Sequence, residues 1–239
     1  WGTGGLARWM LGETEQGAMD AIEAVELADR LDHPYSQLEA SFGPLTIAAL
    51  EGDADRLHLL TTDLDGLLRS GHLPASAAGY VDGFRGIADL IRGDGSGALG
   101  RLERAAPGWR ELWGCYCFPL DEGLAAAHLS VGDTDGALAE IDAVLDGRPD
   151  RAPWWDAEFR RRRAEAFRLL ERPEALAELD AAAALARRQG AVVFELRALI
   201  ERLTMGSMDP SSAEARLRTL LDRLPVDHAE ARRARALLA

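Results

Sequence analysis

A glycine-rich run in the middle of the chain has the residue types that could hold a phosphate. Gly93-Asp94-Gly95-Ser96-Gly97 opens a predicted helix, where glycines would expose backbone N–H groups to an anion. The run follows a helix instead of a strand, contains no lysine and falls at a predicted turn between two helices. A P-loop needs that lysine, so the run does not indicate a nucleotide site.

The histidines and cysteines could in principle bind a metal or act in nucleophilic catalysis. The five histidines are scattered, and none has HExxH or CxxC spacing. Cys115 and Cys117 would point about 200° apart on a helix, so we expect reduced, buried thiols. Cys117 and His128 would share a helix face only if Pro119 does not break that helix. We therefore predict no catalytic, cofactor-binding or metal-binding residues in this segment.

A helical-hairpin signature returns about every forty residues and predicts the elements that carry these side chains. A turn rich in Gly and Asp is followed five residues later by an Ala or Leu that opens an amphipathic helix. The clearest copies open at Leu57, Ala98 and Ala137. The same register extends to Gly17, Ala175 and Ala213, where the signature has drifted, and the openings lie 38 to 41 residues apart. Such a period predicts stacked helix pairs. Within the second helices, apolar residues recur at i, i+4 and i+7, and small residues at the first and third positions let two helices approach closely.

The pattern predicts six helix pairs and one terminal helix, with breakers such as Ala106-Pro107-Gly108 and Ala152-Pro153 at the repeat boundaries. The expected pairs are 3–12 with 15–31, 35–51 with 54–70, 74–92 with 96–106, 110–131 with 134–146, 153–171 with 174–189, and 191–205 with 211–223. The least regular stretch contains four aromatic residues before Pro119, so a helix either starts near Phe118 or kinks there. Those aromatics fill the core or line a ligand groove; they are Trp109, Trp113, Tyr116 and Phe118.

Composition narrows the classes of function. The net charge is −13, which disfavours binding to nucleic acid or to an anionic membrane. The basic run Arg160 to Arg163 can pair with Asp156, Glu158 and Glu165 at helical spacing, so we expect a salt-bridged face there. All 27 cationic side chains are Arg, and the chain contains no Lys or Asn. This bias is typical of a GC-rich coding sequence and points to a bacterium of actinobacterial type.

The turns and helix spacings resemble the tetratricopeptide repeat, with a period nearer forty residues than the usual 34 or so. The resemblance implies a right-handed α-α superhelix, a tetratricopeptide-like solenoid, covering residues 1–239 as a single array. Three stretches resemble the C-terminal repeats of bacterial regulators that combine a signal-transduction (STAND-type) ATPase with a cyclase or DNA-binding domain; they are Trp154 to Arg161, Ala184 to Ala191 and Phe194 to Ala198. Because the chain opens on Trp1 within a helix pair, we expect a fragment of a longer multidomain protein.

In such repeats the first helix of each pair lines the concave surface. Counting back from each turn gives a candidate binding surface of six residues: Glu39, Phe42, Tyr80, Glu122, Arg160 and Phe167. These residues would offer apolar contacts with a few charges to a protein or peptide partner, or to other domains of the same chain.

The resulting hypothesis is a non-catalytic protein-protein or ligand-sensing interaction module of a cytoplasmic bacterial signalling ATPase or cyclase-linked regulator. Two alternatives stay open. One is a stand-alone repeat scaffold or adaptor, which the length of the parent gene would distinguish. The other is an α-α solenoid enzyme, which would need a deep pocket lined by carboxylates.

Overall fold

The computed structural model describes residues 2–114, 117–146, 154–206 and 210–238. Within these ranges the regular secondary structure is helical and no residue lies in a strand, which confirms the all-α prediction. The helices are α1 (Gly2–Met10), α2 (Thr14–Leu31), α3 (Pro34–Ala40), α4 (Phe42–Glu51), α5 (Ala54–Arg69), α6 (Ser76–Ile91), α7 (Gly95–Trp113), α8 (Leu120–Ser130), α9 (Thr134–Asp146), α10 (Asp156–Leu169), α11 (Glu174–Gln189), α12 (Val192–Thr204), α13 (Pro210–Leu221) and α14 (Ala229–Leu238).

The chain divides into two compact units. The first unit consists of Trp1–Ala7 and Gln16–Glu140, and the second of Arg8–Glu15 and Ile141–Ala239. In the first unit each helix from α3 to α7 packs against the next one, and α4, α6 and α8 also contact one another in series. In the second unit α10, α11 and α12 pack consecutively, while α10, α12 and α14 contact in series. In each unit, every second helix therefore packs against the next but one to form a layer, with α4, α6 and α8 in the first unit and α10, α12 and α14 in the second.

The turns within the helix pairs explain the Gly-Asp signature. Gly52 adopts a left-handed conformation (φ 71°) that ends α4, and the backbone N–H of Asp53 donates to the Ala48 carbonyl at 2.9 Å. The Asp53 carboxylate then accepts from the Arg56 backbone N–H at 2.9 Å and caps α5. The same arrangement recurs at Gly93-Asp94 and Gly132-Asp133. The glycine-rich run is thus a helix-pair turn, in agreement with the sequence analysis.

The predicted apolar stripe of the second helices is buried. Each of the following side chains is at most 5% exposed: Ala98, Leu102, Ala105, Ala137, Ile141, Val144, Ala175, Leu179 and Ala182. Small and large residues alternate along this stripe as the close packing of helices requires.

The predicted boundary at Ala106-Pro107-Gly108 is wrong, because α7 continues through Pro107 to Trp113. Packing favours the continuation: a Cβ atom on Gly108 would come within 2.8 Å of the Gly79 Cα on α6, so the two helix backbones pack closely there. Trp109, beyond the proline, is completely buried. The following helix starts at Leu120 instead of residue 110, which confirms the break expected near Phe118.

Some sequence predictions fall on parts of the chain that the structure does not describe. These are Cys115, Tyr116, the breaker Ala152-Pro153 and the side chain of Ala213. Among the described helices, none has the length and apolar character needed to cross a lipid bilayer.

Candidate functional site

The six residues of the predicted binding surface differ in their exposure. Glu39 on α3 is exposed, and the other five divide into four partly buried side chains and one fully buried one. The fully buried residue is Tyr80, which offers no contact area to a partner, so its assignment to an accessible surface needs correcting. The partly buried residues are Phe42, Glu122, Arg160 and Phe167.

Two of these residues meet in an aromatic cluster of the first unit, which we define as Phe42, Tyr80, Phe84 and Trp113. The Trp113 ring centroid lies 5.8 Å from that of Tyr80 and 6.1 Å from that of Phe42, with edge-to-face angles of 67° and 61°. Tyr80 also packs edge to face on Phe84 at 5.2 Å. Tyr80 and Phe84 are fully buried, whereas Phe42 and Trp113 are only partly buried. The cluster therefore has an inner half that supports an accessible outer half.

The irregular stretch before Pro119 contributes to both the core and this cluster. Trp109 and Phe118 are at most 1% exposed and fill the core, which is one of the two roles left open by the sequence. Trp113, at the end of α7, is partly exposed and joins the aromatic cluster. The stretch thus contributes both fully buried and partly exposed aromatic side chains.

A buried carboxylate anchors the segment that carries Trp113. Asp121, in the first turn of α8, has no exposed surface. Its Oδ1 accepts from Trp109 Nε1 at 3.3 Å and from Arg110 Nε at 2.8 Å, and its Oδ2 accepts from the Cys117 backbone N–H at 2.5 Å. Burial raises the pKa of the Asp121 carboxyl, although the Arg110 guanidinium opposes that rise. Asp121 thus ties the end of α7 to the start of α8.

Sequence reasoning missed Asp121. The available signal was an acidic residue two positions after Pro119 and directly after Leu120, at the start of a helix. That signal predicts favourable placement near a helix N-terminus, but it does not reveal the partners on α7.

The second unit contains a buried ion network formed by Glu158, Arg161, Arg197, Glu201 and Glu230. Glu158 Oε1 accepts from Arg161 Nη2 at 2.7 Å and from Arg197 Nη1 at 3.1 Å. Arg197 Nε donates to Glu230 at 2.9 Å, and Arg161 also pairs with Glu201. Burial alone would raise the pKa of Glu158, but Arg161 and Arg197 outweigh it and lower this pKa to about 2. The network links α10, α12 and α14.

The basic run on α10 is salt-bridged, as predicted. Arg161 pairs with Glu158, and Arg162 pairs with Glu165 at 2.6 Å. Arg160 and Arg163 instead pair with Glu178 on α11, which helical spacing within α10 could not reveal. These pairs show that the run serves to hold helices together.

Phe167, the remaining candidate of the second unit, also contacts a cationic side chain. The Arg172 guanidinium lies 4.1 Å from the ring centroid of Phe167, a cation–π contact across the turn after α10.

In the described part of the chain, no group of three His, Cys, Asp or Glu side chains could hold a metal ion. Cys117 is a free, buried thiol.

Comparison of the chain with models of protein families and with curated proteins gives no match. The function is therefore inferred from the helix packing and from the aromatic cluster.

Proposed function

We propose that this chain is a non-catalytic interaction module built as a tetratricopeptide-like superhelix. The observation that carries the proposal is the serial contact of alternate helices, α4 with α6 and α8 in the first unit and α10 with α12 and α14 in the second. In a solenoid of helix pairs, the first helices line one surface and the second helices line the other. The concave surface lined by the first helices binds the partner. The recurring Gly-Asp turns and the buried small-large-small stripe support the same architecture.

The aromatic cluster is the part of the first unit best suited to contact a partner. Phe42 and Trp113 present partly exposed rings on a rigid base of Tyr80 and Phe84. Aromatic side chains that are held in place lose little conformational entropy on binding and are enriched at the energetic centres of protein interfaces. The expected partner is a protein or peptide, or another domain of the same polypeptide.

The finer assignment is the repeat region of a cytoplasmic bacterial signalling ATPase or cyclase-linked regulator. It is supported by the sequence resemblance of the stretches around Trp154, Gln189 and Phe194. Recovery of the coding sequence upstream of Trp1 tests it. A Walker-type Lys-Ser or Lys-Thr motif in the parent gene supports the regulator, and a gene without one overturns that assignment.

The binding role has its own test. If the parent gene encodes further domains, those domains are expressed separately and mixed with residues 1–239, and binding is measured by calorimetry. Replacing Phe42 and Trp113 together by Ser should weaken binding at least about tenfold. Leu59→Ser is the control, because Leu59 is 64% exposed on α5 and lies outside the cluster. Equal effects of the control and the double variant would argue against the cluster as the contact surface.

A further inference from the structure

A second surface of the first unit lies between α2 and α3, where a groove of about 250 Å³ opens beside exposed leucines. Ala24, Leu27, Ala28 and Leu31 of α2 form one wall, and Glu39 and Ala40 of α3 lie opposite. Leu27 is 37% exposed and Leu31 is 64% exposed. Both leucines therefore present apolar surface that the first unit does not cover.

Carboxylates surround this apolar surface. Residues 14–40 contain seven Asp or Glu side chains and a single Arg, so the groove lies in a strongly acidic region. Asp20 is four residues before Ala24 and Glu23 is four residues before Leu27, which places both carboxylates on the groove side of α2. Glu23 and Glu39 are exposed, and neither forms an ion pair within the described ranges.

We propose that this groove binds a basic amphipathic helix of a partner protein. The volume is below the roughly 300–1,000 Å³ of pockets that enclose small molecules, and it suits one or two apolar side chains of a peptide. The described part of the chain has no sheet edge with which an extended peptide could pair, whereas a helix satisfies its own backbone hydrogen bonds. The acidic rim selects Arg or Lys residues flanking the apolar anchors.

The groove adds a second surface to the proposed binding function. It shares Glu39 with the six predicted surface residues and no residue with the aromatic cluster. The probe is a synthetic peptide of about 15 residues, long enough to form a helix, with Leu at i, i+4, i+7 and i+11 and Arg on either side. Two control peptides have Glu in place of Arg, or the same composition with Leu distributed around the helix. Binding to residues 1–239 is measured by fluorescence anisotropy at low and high salt.

The apolar contact is tested by Leu27→Ser combined with Leu31→Ser, which should weaken binding of the basic peptide about tenfold. The matched control is Leu59→Ser, since Leu59 and Leu31 have the same 64% exposure. The control should change affinity less than about twofold. Circular dichroism of each variant checks that the helical content is retained.

The charged rim is tested by Glu23→Gln combined with Glu39→Gln, which should weaken binding about two- to fivefold at low salt and less at high salt. Glu103→Gln combined with Glu111→Gln changes the net charge equally on exposed positions of α7 and should have little effect.

Four results would overturn the groove assignment. They are equal effects of groove and control variants, equal affinity for the peptide with distributed Leu, binding of the groove to neutral phospholipid vesicles, and a dimer that the leucine variants dissociate. Peptide binding that survives in the Phe42→Ser, Trp113→Ser variant supports a groove independent of the aromatic cluster. If that variant loses binding to the separately expressed domains while the groove variants bind the peptide unchanged, the proposed function stands and the groove assignment is refuted.

Discussion

Glu158 and Arg197 are 39 positions apart in the chain, and their side chains meet with Arg197 Nη1 donating to Glu158 Oε1 at 3.1 Å. The pair joins α10 to α12, which are the first helices of neighbouring pairs. Arg161 and Glu201, 40 positions apart, join the same two helices. These separations match the period seen in the sequence. In this unit, residues one period apart are therefore neighbours in space.

Replacing Glu158 by Gln should destabilise the protein. The change retains the side-chain volume but leaves Arg161 and Arg197, both largely buried, with one carboxylate fewer. Breaking a buried ion pair costs about 3–5 kcal/mol, and we expect about 3 kcal/mol because Glu201 and Glu230 remain as partners. Urea unfolding followed by circular dichroism measures the loss. Glu174→Gln, at an exposed pair, should leave the unfolding midpoint unchanged, and equal midpoints for all three proteins would contradict this role of Glu158.

The Glu158 carboxylate should also make the stability of the fold decrease at acidic pH. Burial favours the neutral form, but Arg161 and Arg197 lower the pKa of Glu158 from 4.5 to about 2. Because the folded chain binds this proton less readily than the unfolded chain, the stabilisation is complete above pH 4.5 and is lost as the pH falls towards 2. The stabilisation lost when Glu158 is protonated is on the order of 3 kcal/mol.

Other groups with shifted pKa values also modify this pH profile, His228 and Asp121 among them. Burial lowers the pKa of His228, so its contribution to stability also falls as the pH drops below the ordinary pKa of histidine. Burial raises the pKa of Asp121, which acts in the opposite sense and gains stability on acidification. Thermal unfolding at a series of pH values should show a steep decrease below pH 4.5 that is shallower for Glu158→Gln. Parallel curves for the two proteins would exclude Glu158 as the main acid-sensitive group.

The turns and the stripe could be predicted from the sequence because both depend on local rules. Gly at a left-handed position and Asp at a helix N-cap need only their immediate neighbours, as Gly93 and Asp94 illustrate. The spacing of Ala98, Leu102 and Ala105 likewise follows from the helix period alone. Local preference and packing agree at these positions.

The features that could not be predicted from the sequence depend on contacts between residues distant in the chain. Local rules end a helix at Pro107, but packing of Gly108 on Gly79 and burial of Trp109 extend α7. The partners of Asp121 lie on another helix, and counting back from a turn placed Tyr80 on a surface although neighbouring helices cover it. Register along one helix does not reveal which side chains the next helix covers.

The turn after α10 lacks the usual glycine, and this difference can be tested. Glu171 takes the left-handed position with φ 54°, and the following Arg172 N–H donates to the Phe167 carbonyl at 2.8 Å. A left-handed conformation costs a residue with a Cβ atom about 1–2 kcal/mol. Glu171→Gly removes this cost but adds freedom to the unfolded chain, so we expect a net gain of about 0.5–1 kcal/mol.

The control for this prediction is the same substitution inside a helix. Glu103 is exposed within α7, and Glu103→Gly should lower stability by about 1 kcal/mol because glycine disfavours helix. Thermal unfolding should therefore shift in opposite directions for the two variants. A decrease for both would indicate that Glu171 makes a contact worth more than the conformational strain.

The small residues of the stripe should be sensitive to added volume. Ala182 on α11 is completely buried, whereas Ala184, two residues later, is exposed. Ala182→Leu inserts three carbon atoms where helices pack closely and should cost about 1–3 kcal/mol. Ala184→Leu has the same chemistry and nearly the same helix propensity, so its effect should stay within about 0.5 kcal/mol. Chemical denaturation of the two variants compares them directly. Since helix α11 and the substitution are shared, a difference between them reports packing alone; equal stabilities would mean that the small residue at the third stripe position is not needed for the close approach of the helices.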